Sequence, residues 1–214
     1  MNTKNVVRQI VVGFCSSVSD DGSVCLACGS VTLISATNGR QILVDCGSPW
    51  HKSEIINGLA ANGLSCSSIT DVVITHGHSD HCGCLCLFES ARFYMDRDYA
   101  TTAFQYSALQ ETTALAPGIR IIRTPGHTDH DLSVVVENTQ DGTVIIVGKV
   151  ISAIEYFWFA LYKACDLFEN EEKDSWMANS RYPKVQAENC AKVLAMANWI
   201  IPGHGRKFKG QLQN

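Results

Sequence analysis

Apolar runs broken by turn residues divide the chain into two strand-rich halves, each carrying helix-like segments. From Val6 to Gly47 the runs Ile10-Val11-Val12, Val31-Thr32-Leu33-Ile34 and Ile42-Leu43-Val44, with Asn38-Gly39 at the place of a tight turn, predict a meander. Ser53 reads as an N-cap, with Ile55, Ile56, Leu59 and Ala60 at helical spacing behind it and Asn62-Gly63 as the stop, so a first helix is predicted over 53–62. A strand over 71–75 runs into a polar cluster, a second helix is predicted over 81–89, and Arg92–Met95 reads as a short strand. Residues 97–117 show no decisive period. Ile119–Ile122 ends at Thr124-Pro125-Gly126, and Leu132–Val136 and Thr143–Val147 form a hairpin about Asp141-Gly142. Val185–Ala197 is helical, with Val185, Cys190, Val193, Leu194 and Ala197 on one face, and Trp199–Ile201 is predicted as the final strand. Strands in both halves with helices interleaved predict an α+β fold of two sheets packed face to face with helices outside.

Composition bounds the function before it suggests one. At 214 residues and 46% hydrophobic content the chain can bury one sizeable core, and a single domain over 1–214 is expected. A net charge of −4 gives no global basic footprint, so any phosphate binding must be local, and no membrane association is expected. The polar Met1–Asn5 leads into a short apolar run without the longer apolar region of a secretory leader, so a cytoplasmic location is expected, with the nucleus a second compartment. The ten cysteines are accordingly expected to be reduced. Cys25 and Cys28 read as small buried thiols on a strand, and Cys82, Cys84 and Cys86 as packing residues, because alternate positions on a helix do not share a face.

The chemistry concentrates in His76-Gly77-His78-Ser79-Asp80-His81, directly after the apolar strand. Alternate residues of an extended chain point the same way, so His76 and His78 can share one ion while Asp80 and His81, a turn later, face a second. Imidazole with carboxylate suits zinc, with manganese or iron as weaker fits. This H-x-H-x-D-H stretch resembles the metallo-beta-lactamase superfamily. Leu43-Val44-Asp45-Cys46-Gly47, Thr124-Pro125-Gly126-His127-Thr128 and Ile201-Pro202-Gly203-His204-Gly205 agree with it in type and order. The resemblance implies a four-layer αββα sandwich and two divalent metal ions, expected to be Zn2+. It implies His76, His78 and His127 on the first ion, Asp80, His81 and His204 on the second, Asp166 between them, and Asp45 as an outer carboxylate orienting a ligand histidine. Asp80 and Asp166 are the carboxylates to which a catalytic part is assigned.

Asp166 needs an argument of its own. The superfamily carries a Gly-Asp step where this chain reads Gly148-Lys149. Lifting out residues 149–165 joins Gly148 to Asp166 and restores the expected text, so this stretch reads as an insertion. Three accounts stay open: a helical insertion, an error in the gene structure, and true replacement of the carboxylate by Lys149.

Two histidines fall outside the motifs. His51 reads as a surface or supporting residue, and His130 as a solvated loop histidine with a substrate-facing role as the sharper alternative. Lys207 and Lys209 are ordinary lysines by default, a phosphate grip being the alternative. A two-ion site implies hydrolysis. A narrower resemblance, carried by Asp174-Ser175-Trp176, Gly47-Ser48-Pro49-Trp50 and the segment from Asn198 to Gly205, implies an endoribonuclease of the histone pre-mRNA processing type, with RNA as partner and a homodimer allowed. The alternatives are a thioester hydrolase resembling glyoxalase II and a catalytically impaired metal-binding scaffold.

Overall fold

A computed structural model describes residues 3–18, 24–102, 104–149 and 180–210. The first half contains β1 (Val6–Val11), β2 (Phe14–Ser17), β3 (Cys25–Cys28), β4 (Val31–Ser35), β5 (Gln41–Val44), α1 (Lys52–Ala60), β6 (Asp71–Val73), α2 (Ser79–Cys82), β7 (Arg92–Met95), β8 (Asp98–Ala100) and β9 (Tyr106–Ala108). The second contains β10 (Thr112–Ala116), β11 (Ile119–Arg123), β12 (Leu132–Thr139), β13 (Gly142–Val147), α3 (Pro183–Met196), β14 (Trp199–Ile201) and β15 (Phe208–Lys209). A seven-stranded sheet in the order β1-β4-β5-β6-β7-β8-β9 faces a six-stranded sheet in the order β10-β11-β12-β13-β14-β15, and β2 and β3 form a separate ribbon.

Period-two alternation builds the layers. Ile42 and Val44 of β5 point between the sheets, where they meet Val73, Ile119, Val134, Val144 and Ile146. Leu43, between them in sequence, points outward with Leu33, Val72 and Ile74 onto Ile55 and Leu59 of α1. On the far side Val135, Ile145 and Ile200 pack against Cys190 and Val193 of α3. The expected αββα order follows, each fully buried aliphatic side chain contributing about 1.5–3 kcal/mol of transfer free energy.

Strand direction decides where the site lies. β5, β6 and β7 pair in parallel, as do β13 and β14, and β11 runs with β13 because β12 opposes both. The carboxyl ends of these strands therefore open at one edge, and the residues that follow them are Asp45, Thr75-His76, Gly148, His204 and, after β11, His127.

Several expectations need correcting. α1 begins at Lys52, with Ser53 inside it and His51 at the cap position without a side-chain capping bond. Its predicted stop holds: Gly63 adopts φ +70°, its N–H donates to the Ala60 carbonyl, and Leu64 N–H reaches back to Leu59. The helix over 81–89 is instead the single turn α2 followed by a 3-10 turn at Leu85–Phe88. Gly83 is wedged so tightly against Ser48 and Pro49 that a Cβ there would fall 2.3 Å from the Pro49 nitrogen. Cys84 alone of its trio is buried, and its thiol donates to the Ser48 carbonyl; Cys86 and Cys25 are exposed. Residues 97–117 supply β8, β9 and β10, and β14 is followed by β15 rather than ending the sheet. On α3, Val185 is 38% exposed while Gln186 and Asn189 are buried. That inversion has a reason: Asn189 Nδ2 donates to the Pro125 carbonyl at 2.7 Å and Gln186 Nε2 to the Lys149 carbonyl, so the helix grips both site loops through polar groups. The insertion over 149–165, apart from Lys149, lies outside the described residues, as do Asp166 and Asp174-Ser175-Trp176.

Candidate metal centre

His76, His78 and His127 converge. His78 Nδ1 stands 3.1 Å from His76 Nε2 and 3.2 Å from His127 Nε2. Asp80, His81 and His204 form a second group, with the two imidazole Nε2 atoms 3.4 Å apart and Asp80 Oδ2 3.6 and 3.7 Å from them. In each group one ligand atom per residue lies within 4.8 Å of the other two. The groups adjoin, since the His76 and His81 rings are 4.2 Å apart between centroids. Six of the seven residues expected to hold metal are thus brought together; the seventh, Asp166, lies outside the described residues.

Outer hydrogen bonds fix which imidazole nitrogen carries the proton. Asp45 follows β5 in the left-handed region at φ +59°, a conformation that aspartate tolerates better than most residues. Its Oδ1 accepts from Thr75 N–H at 2.7 Å, and its Oδ2 accepts from Thr75 Oγ1 at 2.8 Å and His81 Nδ1 at 2.7 Å. Because the Thr75 hydroxyl donates to Asp45, it accepts from His76 Nδ1, 3.2 Å away. His204 Nδ1 donates to the Cys28 carbonyl at 2.9 Å. In His76, His81 and His204 the proton therefore sits on Nδ1 and the Nε2 lone pair faces inward.

This polarity is the test of fit. With His81 and His204 neutral and their protons on Nδ1, Asp80 Oδ2, His81 Nε2 and His204 Nε2 turn only lone pairs towards one another, an arrangement that a cation among them would relieve. His127 Nδ1 is buried without a hydrogen-bond partner, so nothing among the described residues fixes its tautomer. The donor set of imidazoles and one carboxylate fits a divalent transition metal. Burial first, and then the neighbouring histidines, push His76 well below its ordinary pKa and His127 down to about 4, with Lys149 adding to the effect on His127. Burial and His81 likewise lower His204. His81 is the exception: burial pulls it down, but the carboxylates of Asp45 and Asp80 together hold it above its ordinary value.

Glycines make the close approach possible. A Cβ on Gly148 would lie 2.7 Å from Thr75 Oγ1 and 2.9 Å from His76 Nδ1, and one on Gly29 2.9 Å from His81 Nδ1. Gly203 N–H donates to the Gly148 carbonyl at 3.1 Å, tying the end of β14 to the end of β13. Lys149 comes next and is half-buried, its charge acting on His81, His127 and His204.

The remaining sequence candidates lie outside these groups. His51 Nδ1 accepts from Ser48 N–H at 3.2 Å, a supporting position. His130 Nε2 accepts from Arg97 Nε at 2.7 Å, in a groove beside the His127 loop. Lys207 pairs with Asp141 and lies over the Trp199 ring at 4.6 Å, with Lys209 at 5.9 Å from the same ring. Thr75 and the Cys28 carbonyl were missed: the former was legible as a hydroxyl next to His76, whereas a backbone carbonyl has no sequence signature. Among the described residues no helix is long and apolar enough to cross a membrane.

Comparison with known proteins agrees with this geometry. The family model described as Metallo-beta-lactamase superfamily matches residues 29–97, which span Asp45 and the histidine cluster. Metallo-beta-lactamase domain-containing protein 1 of Xenopus laevis is 34% identical over 95% of this chain and 81% of its own length. The Homo sapiens protein of that name is 37% identical over 78% of this chain and 59% of its own. Among solved structures, a Thermotoga maritima protein assigned to the metallo-beta-lactamases superposes with a TM-score of 0.69 at 18% identity, covering 96% of this chain and 99% of that one. The B. thuringiensis protein AiiA, with N-decanoyl-L-homoserine at its active site, gives 0.60 at 15% identity, covering 94% of this chain and 92% of that one. A metal-dependent hydrolase is the activity class that the two clusters and these relationships support. With 34% identity across nearly its whole length to one such protein and the family's histidine cluster in place, the chain belongs to the metallo-beta-lactamase superfamily.

Proposed function

We propose that this chain is an endoribonuclease that cleaves single-stranded RNA at phosphodiester bonds, with six of its ligands at His76, His78, Asp80, His81, His127 and His204 and the seventh at Asp166. The observation that carries the reading is the pair of adjoining three-ligand groups, whose near edges are the His76 and His81 rings 4.2 Å apart. Divalent cations held there, with zinc the best match to the donors, would supply Lewis acidity and a water of lowered pKa at neutral pH.

The chain's own residues do the rest. Asp45, Thr75 and the Cys28 carbonyl keep inward-facing lone pairs on His81, His76 and His204, so the ligands need no rearrangement before the reaction. His78 and Asp80 are less buried than His76 and His81, so the centre opens towards solvent on the side where a long polyanion would enter. A phosphodiester suits such a centre because its transition state spreads negative charge over oxygens on both sides of phosphorus. The narrower resemblance in the Gly47–Trp50 and Asn198–Gly205 segments favours RNA over a thioester.

The test is a substrate panel on metallated protein whose metal content is known. Cleavage of single-stranded RNA, lost in His78→Ala together with metal, is the expected result. Turnover of S-lactoylglutathione with RNA left intact replaces this reading with a thioester hydrolase. Full metal occupancy without either activity leaves a binding scaffold.

A further inference from the structure

Beside the His127 loop lies a groove of about 400 Å³ that the metal centre does not use. One wall is the turn after β7 carrying Arg97; the other is the end of β11 and the loop following it, with Arg123, Pro125, Asp129 and His130, and Leu109 and Glu111 between β9 and β10 complete the lining. Both walls adjoin segments of the metal centre in sequence. Met95, two residues before Arg97, has its terminal methyl near Gly77, and His127 lies between Pro125 and His130.

The charges here are not equivalent. Asp129 is taken by Arg181 at 2.8 Å and by the Tyr182 hydroxyl at 2.8 Å, so its charge is already matched. Arg123 donates to the Leu109 carbonyl at 3.2 Å and the Asp96 carbonyl at 3.4 Å, with Glu111 3.8 Å away, so both of its Nη groups are engaged by backbone that builds the groove wall. Arg97 differs. Its Nε donates to His130 Nε2 at 2.7 Å, which sets the plane of the guanidinium; Asp96 Oδ1 lies 3.5 Å from that same His130 nitrogen, and the two Nη groups of Arg97 have no hydrogen-bond partner among the described residues. A guanidinium oriented through Nε with its terminal fork free matches a tetrahedral oxyanion in bidentate fashion.

We infer that this groove is a phosphate subsite, in which Arg97 holds a backbone phosphate of the RNA that flanks the bond being cleaved. The inference rests on the RNA reading above and adds to it the place where the substrate strand leaves the metal centre. His130 acts here as a positioning residue, accepting from Arg97 and keeping the fork turned into the groove. A chain with a net charge of −4 cannot attract RNA through its overall field, so a local, oriented arginine is the kind of contact that must do it.

The experiment measures binding of a short fluorescent single-stranded RNA by the metallated protein over a range of salt concentrations, under conditions in which a gel shows the strand still intact. Removing one phosphate contact to a single strand should lower the slope of log K against log salt by about 0.7. Arg97→Ala should weaken binding roughly tenfold and show that reduced slope. Arg97→Lys, which keeps the charge but loses the fork, should keep the slope and lose part of the affinity. His130→Ala should lose affinity while keeping the slope, and Arg8→Ala, which removes the same charge from β1, should bind as wild type. If wild type cleaves RNA but Arg97→Ala binds with unchanged affinity and slope, the subsite is wrong and the proposed function stands. If wild type neither binds nor cleaves RNA, both fall.

Discussion

His81 Nδ1 lies 2.7 Å from Asp45 Oδ2, with the histidine side chain fully buried and the aspartate nearly so. The same carboxylate takes both donors of Thr75, so one residue in a left-handed conformation at the end of β5 sets the orientation of groups leading to both ligand clusters. Asp45→Asn keeps the volume but presents an amide in place of one acceptor oxygen. Metal affinity should fall about 10- to 100-fold, the cost typical of losing the outer partner of a ligand histidine. Competition against a chelator of known affinity measures it, and an unchanged affinity would show that Asp45 serves the fold alone.

The apoprotein should lose stability in acid through His127. Its pKa is pushed down to about 4 in the folded chain, by burial first, while in the unfolded chain it titrates near 6.5. The unfolded state therefore binds the proton first, and the stability present above about pH 6.5 is lost as pH falls towards 4. At about pH 5 this amounts to roughly 2 kcal/mol, about 4–8 °C in melting temperature. His76 acts in the same direction. His81 opposes it, because its raised value adds stability at low pH that is lost as pH rises through the folded pKa. Thermal melts of metal-free wild type and His127→Gln at two pH values separate these effects: the variant should lose less on acidification. Equal losses would mean that His127 is not held neutral by the fold.

Lys149 stands directly after Gly148, and its charge bears on His81, His127 and His204. A positive charge there raises the electrostatic cost of placing metal cations beside it. Lys149→Gln should therefore tighten the weaker of two bound divalent ions by on the order of tenfold, an effect visible in calorimetric titration of the apoprotein. Identical isotherms would mean that the ammonium turns away from the centre once metal enters.

Asp166 is proposed as the seventh ligand. Deleting residues 149–165, which joins Gly148 to Asp166, should keep or raise the metal content per chain measured by elemental analysis. Asp166→Ala should lower it in both the full-length and the deleted backgrounds. A deletion protein that loses metal while Asp166→Ala keeps it would reverse the assignment in favour of Lys149.

The strands buried on both faces were the most legible part of the fold, because a sheet covered on both sides is written as short apolar runs between turn residues. The hairpins about Asn38-Gly39 and Asp141-Gly142 follow from that, with Gly39 and Gly142 both at positive φ. The histidines were legible because ligands borne on one short segment keep a fixed spacing. What could not be read was the region from Arg97 to Ala116, where the three-residue strands β8, partly buried, and β9, exposed, are too short to show apolar alternation. Of the inner face of α3, Cys190, Val193 and Ala197 were legible from helical spacing, whereas Gln186 and Asn189 were not: they are buried because loops elsewhere in the chain need their amides, a demand that helical periodicity does not encode.

The parallel pairing of β13 with β14 carries a consequence for how such a protein can change over time. Its register, Val144 with Trp199, Ile145 with Ile200 and Ile146 with Ile201, aligns the ends of two strands far apart in sequence, and the Gly203–Gly148 hydrogen bond continues that alignment to the threshold of His204. The placement of His204 is thus inherited from the sheet and not from the number of residues separating the strands. Each doubling of a connecting loop costs only about 0.6 kcal/mol in closure entropy. A lineage can therefore lengthen or shorten this crossover without dismantling its chemistry, which makes it the natural place for relatives to diverge in size while keeping the same six side chains in step.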